Sequence, residues 1–136
     1  METGSEESPA EYVFRIRFRL TPGTDVRLDP RTFETTLFKS GAPPGEEGWL
    51  FFRNNLWRGK VSDESHMRDI AEGILGVPVE SIAFRELRTT AAYLDELKEA
   101  INEELDTRAM FGNAANADEV LKNYLGSSIH VRPANQ

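Results

Sequence analysis

Three arginines alternate with apolar residues near the start of the chain, and their chemistry is anion recognition. Arg15, Arg17 and Arg19 are spaced two apart. In a β-strand this spacing places all three guanidinium groups on one face, with neighbours about 7 Å apart. The planar guanidinium fork suits carboxylates and phosphates. The row therefore predicts either an anion-binding or nucleic-acid-binding strand face, or a set of ion pairs with Glu34 and Glu86 on neighbouring strands.

A second candidate site is the aromatic stretch 48–59, which contains both tryptophans of the chain. If residues 49–57 form a strand, both faces of that strand are apolar or aromatic, so one face belongs to the core and the other needs a cover. The candidate binding face consists of Trp49, Phe51, Arg53, Trp57, Arg58, Asn54 and Asn55. Tryptophan and arginine are frequent at interface hot spots. This face predicts a non-enzymatic binding or assembly module with a homodimeric or other protein partner.

Two alternatives to a partner-binding face remain open for the same stretch. The aromatic side chains could simply be core packing beneath a helix or the loop at 40–48. The polar side chains of Arg53, Arg58, Asn54 and Asn55 could instead line a pocket in a small enzyme or small-molecule binder. An enzyme of this kind requires those groups to converge, together with a titratable residue of shifted pKa.

The charge balance limits what the arginines can do. The chain has 23 acidic and 16 basic residues, a formal net charge of −7, and only four lysines beside twelve arginines. An acidic, lysine-poor composition is typical of proteins that work in concentrated salt. At about 1 M salt the Debye length is about 3 Å, and binding to phosphates weakens with every contact. Nucleic acid is therefore a possible partner of the row, which Arg53 and Arg85 would join if the register allows, but not the favoured one.

Residue types that usually carry catalysis or metal binding are sparse. The chain has no cysteine, which excludes disulfides, thiol catalysis and cysteine zinc sites. His66 and His130 lack the local spacing of metal ligands, and no glycine-rich phosphate loop precedes a Lys-Ser/Thr pair. The pair at 127–128 lacks the nucleophile elbow of serine hydrolases. We predict no catalytic residue, metal or cofactor, and we favour a role without catalysis.

Hydrophobic periodicity predicts the elements that position these residues. Strict alternation predicts a strand at 12–20. Further strands are predicted at 33–39, 49–57 and 80–88, and a short edge strand at 127–131. A short helix started by the Asp-Pro pair at 29–30 is an alternative to the second strand. The second and third strands are expected to form a hairpin through the loop at 40–48.

Three helices follow from apolar spacing and capping residues. The first begins after Ser62 or Asp63 and ends at Gly76. The second begins at Thr89 or Thr90, and the third is capped by Asn116 with Glu119 three residues later. Their apolar positions are Met67, Ile70, Ala71, Ile74 and Leu75, then Leu94, Leu97, Ile101 and Leu105, then Val120, Leu121, Tyr124 and Leu125.

The element order predicts an α+β fold, with a roughly four-stranded antiparallel or mixed sheet and two or three helices mainly on one face. Residues 1–10 are expected to be a disordered acidic N-terminus, 11–131 a single domain and 132–136 a polar tail. The first ten residues are acidic rather than apolar, and no apolar run reaches the ~20 residues of a membrane helix. A soluble cytoplasmic protein without a membrane partner is expected.

Several blocks of the sequence resemble the haloarchaeal LWR-salt family. They are Phe33–Leu37, the loop and aromatic run 43–52, the Leu-Trp-Arg-Gly core at 56–59, and the ending 124–131. The resemblance extends from about residue 12 to residue 131. It implies a cytoplasmic protein of an extreme halophile, which agrees with the acidic composition. It supplies no catalytic or binding residues.

Overall fold

The structure is a computed structural model, and it describes residues 9–107, 111–112 and 114–132. It contains six strands and four helices in these residues. They are β1 (Ala10–Arg19), β2 (Thr32–Ser40), α1 (Phe51–Asn55), β3 (Leu56–Trp57), β4 (Lys60–Val61), α2 (Glu64–Leu75), β5 (Val79–Thr90), α3 (Ala91–Thr107), α4 (Ala117–Leu125) and β6 (Ile129–Arg132).

Four strands form a mixed sheet in the order β2-β1-β5-β6. The central strand β1 pairs antiparallel with both β2 and β5, whereas β6 runs parallel to β5. The parallel pair follows from the connection, since α3 and α4 return the chain to the other end of the sheet before β6 begins. The expected α+β fold with a roughly four-stranded sheet is confirmed.

One face of this sheet packs against the helices. Tyr12, Phe14 and Ile16 alternate along β1 and are almost completely buried. They belong to a single core cluster with side chains from all four helices, among them Phe52, Met67, Ala71, Leu97, Ile101, Val120, Leu121 and Leu125. The alternate side chains of β1 point the other way, and those of Arg15, Arg17 and Arg19 are exposed. The sheet therefore has one covered face and one open face.

The predicted third strand at 49–57 is wrong. Trp49 lies in a turn, residues 51–55 form the short helix α1, and only Leu56 and Trp57 are extended. Helix-type hydrogen bonds replace strand pairing, because the Asn54 amide donates to the Leu50 carbonyl. The predicted hairpin is also wrong, since β2 pairs with β1 and β3 pairs with β4.

The other elements lie close to their predicted positions. Asp63 caps α2 by accepting a hydrogen bond from the His66 amide, and Gly76 ends that helix in a left-handed conformation. Asn116 caps α4 by accepting from the Glu119 amide. β1 begins at Ala10, and β6 extends to Arg132. Residues 1–8 and 133–136, on which the predicted disordered start and polar tail fall, lie outside the described residues. No helix of the described part is long and apolar enough to cross a membrane.

Candidate functional site

Trp49 of the predicted binding face is a core residue. Its side chain is 9% exposed, and its ring meets those of Phe52 and Phe111 edge-on at 6.4 Å. Phe52 stacks on Phe111 with an interplanar angle of 9°, and Tyr124 meets Phe52 edge-on. These aromatic contacts add to the free energy of burial. Core packing, one of the alternatives for this stretch, is therefore what the structure shows for Trp49 and Phe52.

Two of the four polar residues of the predicted pocket line one cavity. Asn54 and Asn55 line a shallow cavity of about 500 Å³ whose other walls include Glu46 and Glu47. The Asn55 side-chain amide donates to the Phe51 carbonyl within α1, so it is engaged locally. Neither arginine of the predicted pocket, at positions 53 and 58, is among the residues that line this cavity. This cavity therefore has two of the four side chains of the enzyme alternative in its lining.

The Leu-Trp-Arg-Gly core is a tight turn that joins β3 to β4. Arg58 (φ 54°) and Gly59 (φ 80°) occupy the left-handed region at the turn, as in a two-residue hairpin turn whose central residues both have positive φ. Their amides donate to the carbonyls of Asn123 and Tyr124, at 2.7 and 3.0 Å. The last carbonyls of a helix have no partner within the helix. The turn supplies that partner for α4.

Trp57 is the exposed tryptophan of the predicted face. Its side chain is 46% exposed. The Tyr124 ring meets it edge-on at 5.2 Å, and the Arg58 guanidinium carbon lies 5.5 Å from its ring centre. Trp57 therefore contacts Tyr124 of α4 and Arg58 of its own hairpin. It belongs to the two-stranded sheet and not to the four-stranded one.

The arginine row lies on the open face as predicted, but only part of it is free. Arg17 donates to Glu34 on β2 at 3.2 Å, and Arg19 lies 3.6 Å from Glu80 on β5. Arg15 forms no ion pair among the residues that the structure describes. The expected pairing with Glu34 is therefore found for one arginine only. Glu80 was not among the predicted partners.

Arg85 lies on the open face beside Arg15, at a β-bulge that also brings Glu86 and Arg88 to this face. The β1–β5 register shifts by one residue, so that Val13 lies opposite Glu86 whereas Phe14 lies opposite Phe84. Arg85 is the extra residue of β5 and lies exposed at this shift. Bulges often redirect a side chain next to a functional site. Like Arg15, Arg85 has no acidic partner within the described part of the chain.

We call the depression around these two side chains the arginine groove. It measures about 410 Å³ and lies on the open face where β2, β1 and β5 meet. Its lining consists of Val13, Arg15, Thr36, Phe38, Phe84, Arg85, Glu86 and Arg88. Three guanidinium groups thus surround one shallow surface on an otherwise acidic protein.

Arg88 and Phe38 form the ordered wall of the groove. Arg88 donates through two nitrogens to one Glu86 oxygen, at 2.9 and 3.1 Å. Its guanidinium carbon also lies 5.5 Å from the centre of the Phe38 ring, which is 47% exposed. Glu86 therefore neutralises Arg88 and leaves Arg15 and Arg85 as the cations available to a ligand.

Sequence reasoning missed Phe38 and Arg88. Arg85 was foreseen as a member of the row if the register allowed, and the pairing of Arg15 with Ala83 provides that register. Arg53 does not join it, because its segment is not a strand of the sheet. The signal for Phe38 was its place among the even-numbered residues of β2, which lie opposite the odd-numbered arginines of β1.

The strongest pKa shifts belong to residues away from the groove. Burial raises the pKa of Tyr12 far above its usual value. Burial and the nearby Glu96 carboxylate raise the pKa of Tyr93 to about 12. The Tyr93 hydroxyl donates to the Ala42 carbonyl and so ties the loop at 41–48 to α3. Both tyrosine side chains are buried in the core.

Among the described residues, no three His, Asp or Glu side chains come close enough to hold a metal ion.

The comparisons with known proteins give one match. The family model described as LWR-salt protein matches residues 8–135, nearly the whole chain. No curated protein and no solved structure matches the chain.

Proposed function

Because the chain belongs to the LWR-salt protein family, which assigns it no reaction, we propose from its geometry that it is a non-enzymatic binding module. The arginine groove on the open face docks an acidic segment of a protein partner. The single observation that supports this proposal is the pair of exposed arginines, Arg15 and Arg85, which have no acidic partner among the described residues and lie beside the exposed Phe38 ring.

The composition of the groove suits a protein segment. Arginine and aromatic side chains are enriched at protein interfaces. Arg15 and Arg85 can each donate two hydrogen bonds to a carboxylate through the planar guanidinium fork. Phe38 offers apolar area to a neighbouring side chain of the same segment. An extended peptide with alternating acidic and apolar side chains would meet both kinds of contact at once.

The negative net charge of the chain favours the arginine groove as the site where an acidic partner binds. The chain carries a net charge of −7, so most of its surface repels an acidic segment. The groove is a local exception, because only one of its three arginines is neutralised by a lining glutamate. Such an arrangement directs an acidic partner to one orientation. In concentrated salt the carboxylate contacts weaken, whereas the apolar contact with Phe38 persists.

Nucleic acid fits this face less well. A strand of RNA needs a continuous basic surface with aromatic platforms. Glu34 and Glu80 pair with Arg17 and Arg19, which interrupts the row beyond Arg15. The remaining cationic surface is short and suits a few carboxylates better than a polyphosphate backbone.

A labelled peptide of alternating glutamate and leucine tests the proposal by fluorescence anisotropy. The wild-type protein should bind it saturably, and Arg15→Ala and Arg85→Ala should each weaken binding about tenfold, or about 1.4 kcal/mol. The matched control is Arg17→Ala, on the same strand and also exposed but paired with Glu34. The affinity of this variant should stay within about twofold of wild type, since Arg17 does not line the groove and its charge is already paired.

Three outcomes would overturn the proposal. The first is absence of saturable binding. The second is equal binding of a peptide in which every glutamate is replaced by glutamine. The third is an equal loss in all three arginine variants, which would indicate a diffuse charge effect. Tighter binding of a single-stranded oligonucleotide than of the peptide would favour the nucleic-acid alternative instead.

A further inference from the structure

The outer edge of β2 is a second feature of the open sheet. β2 is nine residues long and is the terminal strand of the order β2-β1-β5-β6. It pairs with β1 over its whole length without a register shift. Its other edge has no strand beside it among the described residues. A terminal strand of this kind presents a row of unpaired amides and carbonyls.

The hydrogen bonds at both ends of the β1–β2 pair reveal which residues form that row. The Gly41 amide donates to the Ala10 carbonyl, and the Leu20 amide donates to the Arg31 carbonyl. Hydrogen-bonded pairs alternate along an antiparallel ladder, so the odd-numbered residues of β2 bond to β1. The backbone groups that face outward belong to Thr32, Glu34, Thr36, Phe38 and Ser40.

This edge has few of the devices that usually protect a terminal strand. Such strands are commonly short, bulged, or interrupted by proline and exposed lysine. β2 has no proline or glycine, and its only charged residues are Glu34 and Lys39. The Lys39 ammonium lies 5.1 Å from the ring centre of Phe51 in its own chain, and Glu34 is paired with Arg17. Neither charge is therefore directed along the edge to repel another strand.

We propose that a second copy of this chain pairs with the β2 edge, antiparallel about a two-fold axis at Thr36. The two four-stranded sheets then become one continuous sheet of eight strands. In this register the outward-facing residues of one β2 oppose those of the other. Thr36 lies opposite Thr36 of the second copy, Glu34 opposite its Phe38, and Thr32 opposite its Ser40.

The sequence of β2 is self-complementary in this register. The nine residues overlap completely, so each of the outward-facing amides and carbonyls gains a partner. On the helix-side face Phe33 lies opposite Lys39 of the second copy, and Thr35 lies opposite its Leu37. No like charges oppose each other, and a central threonine pair is favourable in antiparallel sheets. An unrelated strand has no reason to match this pattern, whereas a second copy matches it by symmetry.

The dimer also extends the arginine groove, although it does not depend on the groove binding a ligand. Thr36 and Phe38 line the groove and lie on the edge strand. A two-fold axis perpendicular to the sheet keeps both open faces on the same side. Two grooves would therefore lie on one continuous surface, on either side of the new strand pair.

Measurement of mass by light scattering during gel filtration tests the dimer, with variants at Thr36. The wild type should elute at twice the 15.4 kDa of one chain. Thr36→Lys places two ammonium groups at the axis, and Thr36→Pro removes the central outward-facing donor without removing a bond to β1. Both variants should have half the wild-type mass. The matched control Thr36→Val keeps a β-branched side chain and the amide, and should remain dimeric.

Amide hydrogen exchange makes the test independent of chain folding. In the wild type the amides of Glu34, Thr36 and Phe38 should exchange slowly, like their odd-numbered neighbours. In Thr36→Lys those three should exchange fast while Thr35 and Leu37 stay protected, which shows that β2 remains folded on β1. A wild type that is monomeric up to millimolar concentration, or a Thr36→Lys variant that is still dimeric, overturns the proposal.

Discussion

At the scale of single residues, Gly59 determines whether the Leu-Trp-Arg-Gly turn can reach α4. Its φ of 80° lies in the left-handed region, and a Cβ placed there would meet the Leu125 carbonyl oxygen at 3.0 Å. Both conditions favour glycine, since other residues are strained in this conformation and a Cβ at that distance would displace the Leu125 carbonyl. Gly126 lies on the other side of the same contact, facing the backbone of Arg58.

We therefore expect Gly59→Ala to lower the free energy of unfolding by about 1–3 kcal/mol, from left-handed strain and from displacement of the α4 carbonyl. Chemical denaturation followed by circular dichroism measures this change. The matched control is Gly23→Ala, where nothing lies within 4 Å of an added Cβ, and its effect should stay within about 0.5 kcal/mol. Equal stability of the two variants would contradict the structural account of the turn.

Individual site residues were predictable only where strand alternation fixed their face. The exposed sides of Arg15, Arg17 and Arg19 followed directly from the apolar residues between them. Which arginine is paired did not follow, because pairing depends on the β1–β2 and β1–β5 registers. The bulge at Arg85 has no signature in the sequence, since it arises from how two distant strands align.

At the scale of elements, capping residues and apolar periods predicted the helices and most strands. Asp63 and Asn116 both accept the amide three residues ahead, as the capping pattern predicts. The wrong prediction of a strand at 49–57 has a physical cause. A short apolar run fits helix and strand equally well, and the decisive signal was that Trp49, Phe52 and Leu56 are spaced three and four apart. All three are buried, and this spacing is typical of a helix, although only Phe52 lies within α1 itself.

Asn116→Ala should destabilise the protein by about 1 kcal/mol, because the cap satisfies an amide of α4 that has no partner within the helix. Thermal unfolding measures the effect. Asn123→Ala, in the same helix, is the matched control, because it makes the same chemical change at an interior helical position. Alanine is the better helix former there, so this variant should be neutral or slightly stabilising. If Asn123→Ala lowered the stability as much as Asn116→Ala, the result would contradict a capping role for Asn116.

At the scale of the whole molecule, the helices cover one face of the sheet and leave the other open. The fold class was predictable from element order, but the strand order was not, because sequence patterns do not record which strands are neighbours. The candidate binding face lies on a turn, α1 and the β3–β4 hairpin and not on one strand. Most of the aromatic stretch became the joint between α1 and α4, and only Trp57 and Arg58 remain exposed together. The function class we favour is unchanged, whereas its proposed location moves to the arginine groove.

The central claim is that the open sheet face, and not the Trp57–Arg58 turn, is the binding surface. Titration of the glutamate–leucine peptide into isotopically labelled protein, followed by amide NMR, tests it most directly. We expect shifts that saturate and that are confined to the groove residues of β1, β2 and β5, with Arg15 and Arg85 among them, and unchanged signals at Trp57 and Arg58. Saturable shifts centred on Trp57 and Arg58, with the groove unchanged, would contradict the account.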